Sequence, residues 1–275
     1  KVNEYGVFRD GEQLAGASEA SVYAQVGLPY IEPELREDRG ELQAARQGRL
    51  PELIRLADLR GDLHCHTDAT DGSDSAEVMA RAACEQGHEY LAITDHTRRL
   101  RVAGGLDADA FRRHIDALHR LDERMQGIRI LAGAEVDILR NGDLDLPDPV
   151  LAQLDIVVCA VHQELRLPRE RQTARILRAL DHPRCQILAH PSARLINRRA
   201  AMDVDLEKIL VGARDRGCAV EINAQPSRLD LSDSGILQAR ELGTGLVINS
   251  DAHASDQLAR LRFGVDQARR GWLSA

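Results

Sequence analysis

The chain has 275 residues, of which 43% are hydrophobic and 29% are charged, a composition typical of a globular protein with a large core. No apolar run reaches the roughly 18 residues of a membrane-spanning helix, and the N-terminal segment lacks the apolar core of a secretory signal. The formal net charge of −8 argues against a general nucleic-acid coat protein. Five cysteines without a C-x-x-C pair favour a reduced protein, which we expect in the cytoplasm.

The first 50 residues form a separate arm in this interpretation, because they lack the rhythm of the remainder. The segment ASEASVYAQVG predicts a helix that ends at Gly27, and LPYIEPELRED is rich in proline and extended. Residues 41–58 are partly helical. We therefore divide the chain into an arm, residues 1–50, and a main domain, residues 58–275.

The main domain alternates short apolar runs with helical patterns. The runs are LRGDLHC, YLAITDH, IRILAGAEV, IVVCAVH, QILAHP, AVEINAQ and GLVINSDAH. Several helical segments begin at a Ser or Asp N-cap, and three end at a glycine, namely Gly87, Gly217 and Gly243. Continuously apolar strands that alternate with helices predict an α/β fold with a parallel sheet. Seven such units favour a closed or nearly closed barrel, and a doubly wound open sheet is the alternative.

Metal-binding residue types recur at the C-terminal ends of these predicted strands, which in a βα barrel share one face. The set is His64, His66, His96, Glu135, His162, His190, Asp251 and His253, with Asp71 in the first βα loop. His64 and His66 are two residues apart, as are Asp251 and His253, so each pair points to one side of its strand. An isolated histidine at a strand end is usually a hydrogen-bonded structural residue.

Six histidines at successive strand ends indicate a metal centre rather than six unrelated structural residues. Imidazole and carboxylate are ligands of zinc, manganese and iron, and this number of groups suggests several ions. Such a site activates water and holds a phosphoryl group. The other four histidines, in helices or turns, are expected to be surface or packing residues, namely His88, His114, His119 and His182.

Arginines follow the same strand ends and predict a cationic rim around the metal face. The candidates for contact with an anionic substrate are Arg98, Arg99, Arg166, Arg194, Arg198, Arg199 and Arg228. A cationic rim on an acidic protein favours an anionic substrate. The alternative for each arginine is a solvated residue near the start of a helix.

These motifs carry a family resemblance. DLHCHTDATDG, YLAITDH, GAEVDI, VCAVH, ILAHP and INSDAH resemble the ordered motifs of the PHP (polymerase and histidinol phosphatase) superfamily. Within it, GDLDLPDPVLAQLDIVVCAVH, NAQPSRLDLSD and LRFGVDQARRGWL are most similar to the C-terminal domain of bacterial family X DNA polymerases. The arm, with VNEYGVF and VYAQVGLPYIEPELRED, resembles the end of the polymerase thumb, so residues 1–50 would be a thumb remnant and linker.

The resemblance implies a distorted (β/α)7 TIM-like barrel with up to three Mn²⁺ or Zn²⁺ ions, Fe²⁺ being a further option. The first ion would be held by His64, His66, Glu135 and Asp251. A second would take Glu135, His162 and His190. A third would take Asp71, His96 and His253.

The activity that the resemblance implies is a 3′-5′ exonuclease, with cleavage at abasic sites in some members. We hypothesise in-line attack of an activated water on the terminal phosphodiester, with Arg194 stabilising charge and Asp71 or His253 tuning protonation of the leaving 3′-oxygen. Expected partners are DNA with single-stranded 3′ ends, gaps or abasic sites, and the polymerase domain of the same protein.

Further expectations follow from the resemblance. The protein would be bacterial, monomeric and associated with the nucleoid, and it would act in DNA repair. No membrane partner is expected. This chain alone is not expected to polymerise DNA, since it has no polymerase catalytic aspartates. Two alternatives stay open: a small-molecule phosphomonoesterase of the histidinol-phosphatase type, and a non-catalytic, metal-stapled scaffold for the polymerase.

Overall fold

The structure, a computed structural model, describes residues 1–275 and divides into two units. The first unit comprises residues 1–54 together with 272–275, and the second comprises residues 55–271. The elements of the first unit are β1 (Val2–Asn3), β2 (Gly6–Arg9), β3 (Glu12–Ala15), α1 (Glu19–Ala24), a 3-10 turn (Pro33–Leu35) and α2 (Glu41–Arg46). The predicted helix of the arm is α1, which Ser18 caps through its side chain.

The three-stranded antiparallel sheet β1-β2-β3 was not predicted from the sequence. Its strands are only two to four residues long, too short for a clear period. A signal was nevertheless present. Asp10 and Gly11, with φ of 50° and 91°, form the two-residue turn between β2 and β3, and Asp-Gly is a favoured pair for such turns.

The second unit contains the seven predicted strands, in parallel and in chain order. They are β4 (Gly61–Cys65), β5 (Tyr90–Ile93), β6 (Arg129–Asp137), β7 (Ile156–Ala160), β8 (Ile187–Leu188), β9 (Ala219–Asn223) and β10 (Leu246–Asn249). Past the end of β10, the Asp251 amide donates to the carbonyl of His64 at 2.9 Å, and the His66 amide donates to Ala252 at 2.8 Å. These bonds join the two edges, so the predicted barrel is confirmed and the open sheet is wrong.

Helices connect the strands and cover the outside of the barrel. They are α3 (Ala76–Glu85), α4 (Ala108–Arg124), α5 (Asp148–Leu151), α6 (Arg169–Leu180), α7 (Leu206–Arg216), α8 (Asp233–Leu242) and α9 (Leu261–Arg270), with 3-10 turns at Leu56–Asp58, Arg101–Ala103 and Ser255–Arg260. Helices α7 and α8 end at the predicted glycines, Gly217 and Gly243, whose φ angles of 68° and 73° are left-handed. No helix combines the length and apolar character that crossing a bilayer requires.

The barrel interior is filled by small and branched side chains, among them Val158, Ala160, Ile187 and Ala189. Because strand side chains alternate, residues such as His64 and His66 point inward while Cys65 between them does not. The inward positions at the C-terminal tips are therefore polar, and those below them are apolar. This layering puts the polar residues at one end of a packed core.

His88, in the turn between α3 and β5, makes stability depend on pH. It is buried, neither ring nitrogen has a hydrogen-bond partner, and burial lowers its pKa. The folded pKa therefore lies below the unfolded value of about 6.5, so this contribution is complete above that pH and is lost as the pH falls. We expect His88→Leu to lose less unfolding free energy than the wild type between pH 7.5 and 5.5 in urea titrations. His119→Leu, at an exposed histidine, is the control, and equal losses in wild type and His88→Leu would contradict this assignment.

Candidate metal centre

The centre begins at the tip of β4, where His64 and His66 enter the barrel fully buried. Their Nε2 atoms are 3.2 Å apart. Closure of the barrel brings Asp251 against both rings, with Oδ1 at 3.7 Å from His64 Nε2 and 3.3 Å from His66 Nε2. Residues at opposite ends of the domain sequence thus share one small volume.

Glu135, in β6, occupies the middle of the cluster and is 1% exposed. Its carboxylate oxygens lie within 3.5 Å of five imidazole nitrogens, namely His64 Nε2 (3.4 Å), His66 Nε2 (3.5 Å), His96 Nδ1 (2.9 Å), His162 Nε2 (3.2 Å) and His190 Nε2 (2.9 Å). A carboxylate in this position can bridge neighbouring cations.

The open side of the cluster consists of Asp71, His96 and His253. Asp71 lies in the loop after β4, and its oxygens are each 3.5 Å from His96 Nε2 and His253 Nε2. The Asp71 and His253 side chains are 33% and 31% exposed, whereas His96 is nearly buried. Solvent therefore reaches the cluster through this side.

The donor atoms fit divalent cations. They form three groups that could each hold an ion: His66, Asp71, His96 and His253; His64, His66 and Asp251; and His96, Glu135 and His162. Ligands about 2.1 Å from a tetrahedral ion are about 3.4 Å from one another, close to the 3.3–3.7 Å separations around Asp251 and Asp71. His96 Nδ1 is buried 2.9 Å from Glu135 yet makes no hydrogen bond. All nine sequence-predicted ligand residues are brought together here.

The electrostatics of the cluster also favour a cation. Burial opposes ionisation of Glu135, but the surrounding imidazoles, His162 first, hold its pKa well below the usual range. Burial also opposes protonation of His96, yet Glu135 and Asp71 raise its pKa to about 10. Burial and His96 lower the pKa of His66 to about 4, which leaves its nitrogen lone pair available at neutral pH. A bound cation would replace protons that otherwise balance these carboxylates.

Glu221, in β9, contacts the cluster and was not predicted from the sequence. It is fully buried, and its Oε1 accepts from His64 Nδ1 at 2.7 Å and from Asn249 Nδ2 at 2.9 Å. Its Oε2 accepts from the His190 amide at 2.7 Å and from Asn223 Nδ2 at 3.0 Å. The carboxylate therefore fixes the ring of His64 with Nε2 toward the cluster. The available signal was an acidic residue inside an apolar strand, AVEIN.

Two further acceptors orient ligand-type histidines. Asp137 lies two residues after Glu135 in β6, and its Oδ1 accepts from His162 Nδ1 at 3.1 Å. The backbone carbonyl of Asp251 accepts from His253 Nδ1 at 2.9 Å. Both contacts leave Nε2 of the ring facing the cluster. The spacing of Glu135 and Asp137 could have revealed the first of them, because both side chains point inward.

Asp95, next to His96, ties the loop after β4 to helix α4. Its carboxylate accepts from the Thr67 amide at 2.9 Å, from Thr67 Oγ1 at 2.6 Å and from Thr70 Oγ1 at 2.5 Å. His114 Nε2 of α4 lies 3.0 Å from the same carboxylate. His114, which we expected to be a surface or packing residue, is thus part of a largely buried polar network that supports the segment leading to Asp71.

Five of the seven predicted rim arginines are exposed, and the other two, Arg194 and Arg228, are partly buried. Four of these residues are exposed and have no ion-pair partner, namely Arg98, Arg166, Arg198 and Arg199, although Arg199 also donates to the Ala193 carbonyl. Arg99 is exposed and bonds Gln163. Arg194 turns its guanidinium to the carbonyls of Arg228 and Leu229, so it joins two loops and contacts no ligand-type residue.

Arg228 is the arginine at the cluster itself. Its Nε lies 3.4 Å from Asp251 Oδ2, and its side chain is 18% exposed. Its Nη1 is buried without a hydrogen-bond partner. The charge of Arg228 also helps to hold the pKa of Asp251 well below its ordinary value, although burial opposes this and His64 contributes more. The positive charge of a partly exposed guanidinium beside the cluster favours an anionic ligand.

Comparison with known proteins places this site in a family. The model of the PHP domain matches residues 62–224, more than half of the chain. The chain belongs to the PHP family. A probable phosphatase of Thermoanaerobacter sp. (strain X514) is 31% identical over 210 residues, which cover 72% of this chain and 81% of that protein. PHP membership implies a metal-dependent phosphoesterase, in agreement with the cluster of histidines and carboxylates.

The N-terminal arm matches a second family model, that of the DNA polymerase beta thumb, over residues 1–37. The DNA polymerase/3′-5′ exonuclease PolX of Bacillus subtilis (strain 168) is 40% identical over 274 residues, or 99% of this chain. The chain spans 48% of the length of that relative. The expected resemblance to family X polymerases is therefore confirmed for both segments.

Solved structures support the fold. A histidinol phosphate phosphatase of Lactococcus lactis, solved with zinc, L-histidinol and phosphate, aligns with a TM-score of 0.50 at 17% identity. It covers 76% of this chain and 93% of its own. A Listeria monocytogenes structure assigned to histidinol phosphatase aligns with a TM-score of 0.59 at 16% identity, covering 73% of this chain and 97% of its own. At these identities the likeness concerns the PHP barrel alone.

Proposed function

We propose that the PHP domain of this chain is a metal-dependent 3′-5′ exonuclease on DNA. The observation that carries this proposal is the match to the Bacillus subtilis polymerase/exonuclease along 99% of the chain, arm included. A phosphatase for free small molecules has no need of a polymerase thumb, and the thumb model matches residues 1–37. On this proposal residues 1–50 are the thumb remnant and linker, and residues 58–275 are the nuclease domain.

The nine clustered residues would hold up to three ions. One ion would be held by Glu135 with His64, His66 and Asp251, and a second by Glu135 with His162 and His190. Asp71, His96 and His253 would hold a third at the open side. Ions bound there supply an activated water and neutralise charge on the phosphoryl group. Mn²⁺ and Zn²⁺ suit this set of imidazoles and carboxylates, and the histidinol phosphate phosphatase of Lactococcus lactis contains zinc.

Side chains of this chain would bind the phosphate and supply the proton in the cleavage reaction. Arg228, whose partly exposed guanidinium lies 3.4 Å from Asp251, would place positive charge near the non-bridging oxygens of the scissile phosphate. Arg194 would act through its bonds to the carbonyls of Arg228 and Leu229, as a positioning residue rather than by direct contact. Asp71 and His253, on the solvent side, would hold the proton that the leaving 3′-oxygen takes.

A phosphomonoesterase is the second candidate. It is favoured by the Thermoanaerobacter phosphatase, since this chain covers 81% of that protein at 31% identity. The same cluster would serve either ester, because both reactions place charge on phosphoryl oxygens. The two functions differ in what surrounds the phosphate, a polynucleotide or a small alcohol.

The exonuclease proposal also implies partners. They are the polymerase half of a longer protein and gapped or abasic DNA.

The test compares substrates on one protein preparation. The chain is stripped with a chelator, reloaded separately with Mn²⁺ or Zn²⁺, and assayed on a 5′-labelled single strand and on histidinol phosphate. We expect stepwise shortening from the 3′ end, at a kcat/KM at least about 100-fold above that for histidinol phosphate, which corresponds to about 2.7 kcal/mol. The protein stripped of metal is the control. Hydrolysis of histidinol phosphate without shortening of the strand would contradict the proposal.

A further inference from the structure

A positively charged cavity lies between the loop after β6 and helix α6. Four arginines line it: Arg140 from the loop and Arg171, Arg175 and Arg178 from the helix. The cavity has a volume of about 250 Å³. None of these four residues belongs to the metal cluster or to the predicted DNA-binding arginines.

Arg175 is the central residue of this site. It is 3% exposed, and its Nη2 donates to the carbonyls of Ile138 and Gln163, each at 3.1 Å. Its Nε and Nη1 are buried and have no hydrogen-bond partner. A buried guanidinium with unpaired donors keeps a fixed positive charge at the wall of the cavity, and this charge favours an anion there.

The neighbouring carboxylates leave the site with surplus positive charge. Arg140 pairs with Glu164 at 3.3 Å, and Arg178 pairs with Asp143 at 2.7 Å. Both pairs are largely exposed, where such pairs contribute little and exchange readily for another anion. Glu164 and Asp137 are the carboxylates whose charges reach Arg175, while Arg171 is exposed and forms no ion pair.

The loop after β6 packs closely against helix α6 next to this cavity. Gly142 has a φ of +90°, and a Cβ there would lie 2.7 Å from the Arg175 carbonyl oxygen and 2.8 Å from Arg178 Cβ. Only glycine allows the loop to lie this close to α6 in a left-handed conformation. This close contact keeps the loop that carries Arg140 next to the helix that carries Arg171 and Arg175, and all three residues line the cavity.

We propose that this cavity binds a phosphate group. The planar, forked guanidinium matches phosphate oxygens, and several arginines around one cavity are typical of phosphate recognition. The volume is below the roughly 300–1,000 Å³ of small-molecule sites, which favours a small anion over a whole cofactor. Arg175 donates to the carbonyl of Gln163, the residue after His162, so one hydrogen bond links the site to a segment that carries a ligand-type residue. The phosphate would come from the backbone of a bound DNA strand, which rests on the proposed function, or from free phosphate.

Binding is tested with inorganic phosphate on the full chain in EDTA, so that no ion in the metal centre contributes. Calorimetric titration at constant ionic strength compares wild type with Arg171→Gln and Arg175→Lys. We expect at least a fivefold weaker phosphate affinity in both variants. Arg120→Gln, an exposed arginine of α4, is the matched control and should bind as the wild type does. Wild-type affinity in Arg171→Gln and in a folded Arg175→Lys would overturn the site.

The source of the phosphate is tested by the salt dependence of binding to a single-stranded oligonucleotide. Each lost phosphate contact reduces the slope of log affinity against log salt by about 0.7. A reduced slope in Arg171→Gln assigns the site to the DNA backbone, and an unchanged slope with weakened phosphate binding assigns it to free phosphate. Failure of the chain to cleave DNA would count against the proposed exonuclease but would leave the phosphate titration unaffected.

Discussion

Glu135→Gln is expected to lower the rate of phosphoester cleavage by about 10³-fold or more. The substitution keeps the size of the side chain but removes the negative charge that five imidazole nitrogens face within 3.5 Å. An amide also places a donor where the wild type has only acceptors. Both changes weaken the attraction for cations at the centre of the cluster.

Three measurements distinguish this effect from unfolding. Single-turnover cleavage gives the rate, elemental analysis gives the number of bound ions, and circular dichroism reports the fold. Glu123→Gln, on the exposed face of α4, changes the net charge by the same amount and should behave as the wild type. A Glu135→Gln protein with full activity and a full complement of ions would remove this residue from the metal centre.

Glu221→Gln is expected to weaken metal affinity by about 10- to 100-fold, the usual effect of losing a carboxylate that orients a ligating histidine. Each oxygen of Glu221 accepts two hydrogen bonds: Oε1 from His64 and Asn249, and Oε2 from His190 and Asn223. A glutamine amide in either orientation therefore sets its NH₂ group against two donors. His64 and the start of the loop at His190 would both lose their position.

The measurement is competition for Zn²⁺ or Mn²⁺ with a chromophoric chelator, with urea unfolding of the chelated protein alongside. Glu241→Gln, at an exposed position of α8, is the matched control. Weaker metal binding by a Glu221→Gln protein that retains its fold supports an orienting role. Unchanged metal affinity would show that the bond to His64 has no part in ion binding.

The clustering of the ligand-type residues could be predicted from the sequence because it depends on local features. Apolar runs and capped helices locate the strands, and the C-terminal tips of parallel strands meet on one face whatever their separation in the chain. The proximity of His64, Glu135 and Asp251 therefore follows from the strand positions alone, before any contact between them is known. The Asp10-Gly11 hairpin of the arm is equally local, but its strands of two to four residues are too short to show a period.

The sequence by itself determined the seven strands, their parallel order and the nine ligand-type residues, eight at the strand tips and Asp71 in a loop. Only the tertiary structure decided that Glu221 orients His64, that Arg228 rather than Arg194 lies against Asp251, and that Arg175 is buried with unpaired donors. The physical reason is that periodicity and capping are properties of adjacent residues. The choice of a hydrogen-bond partner, and the nitrogen that an imidazole presents, depend on acceptors contributed by distant strands and loops.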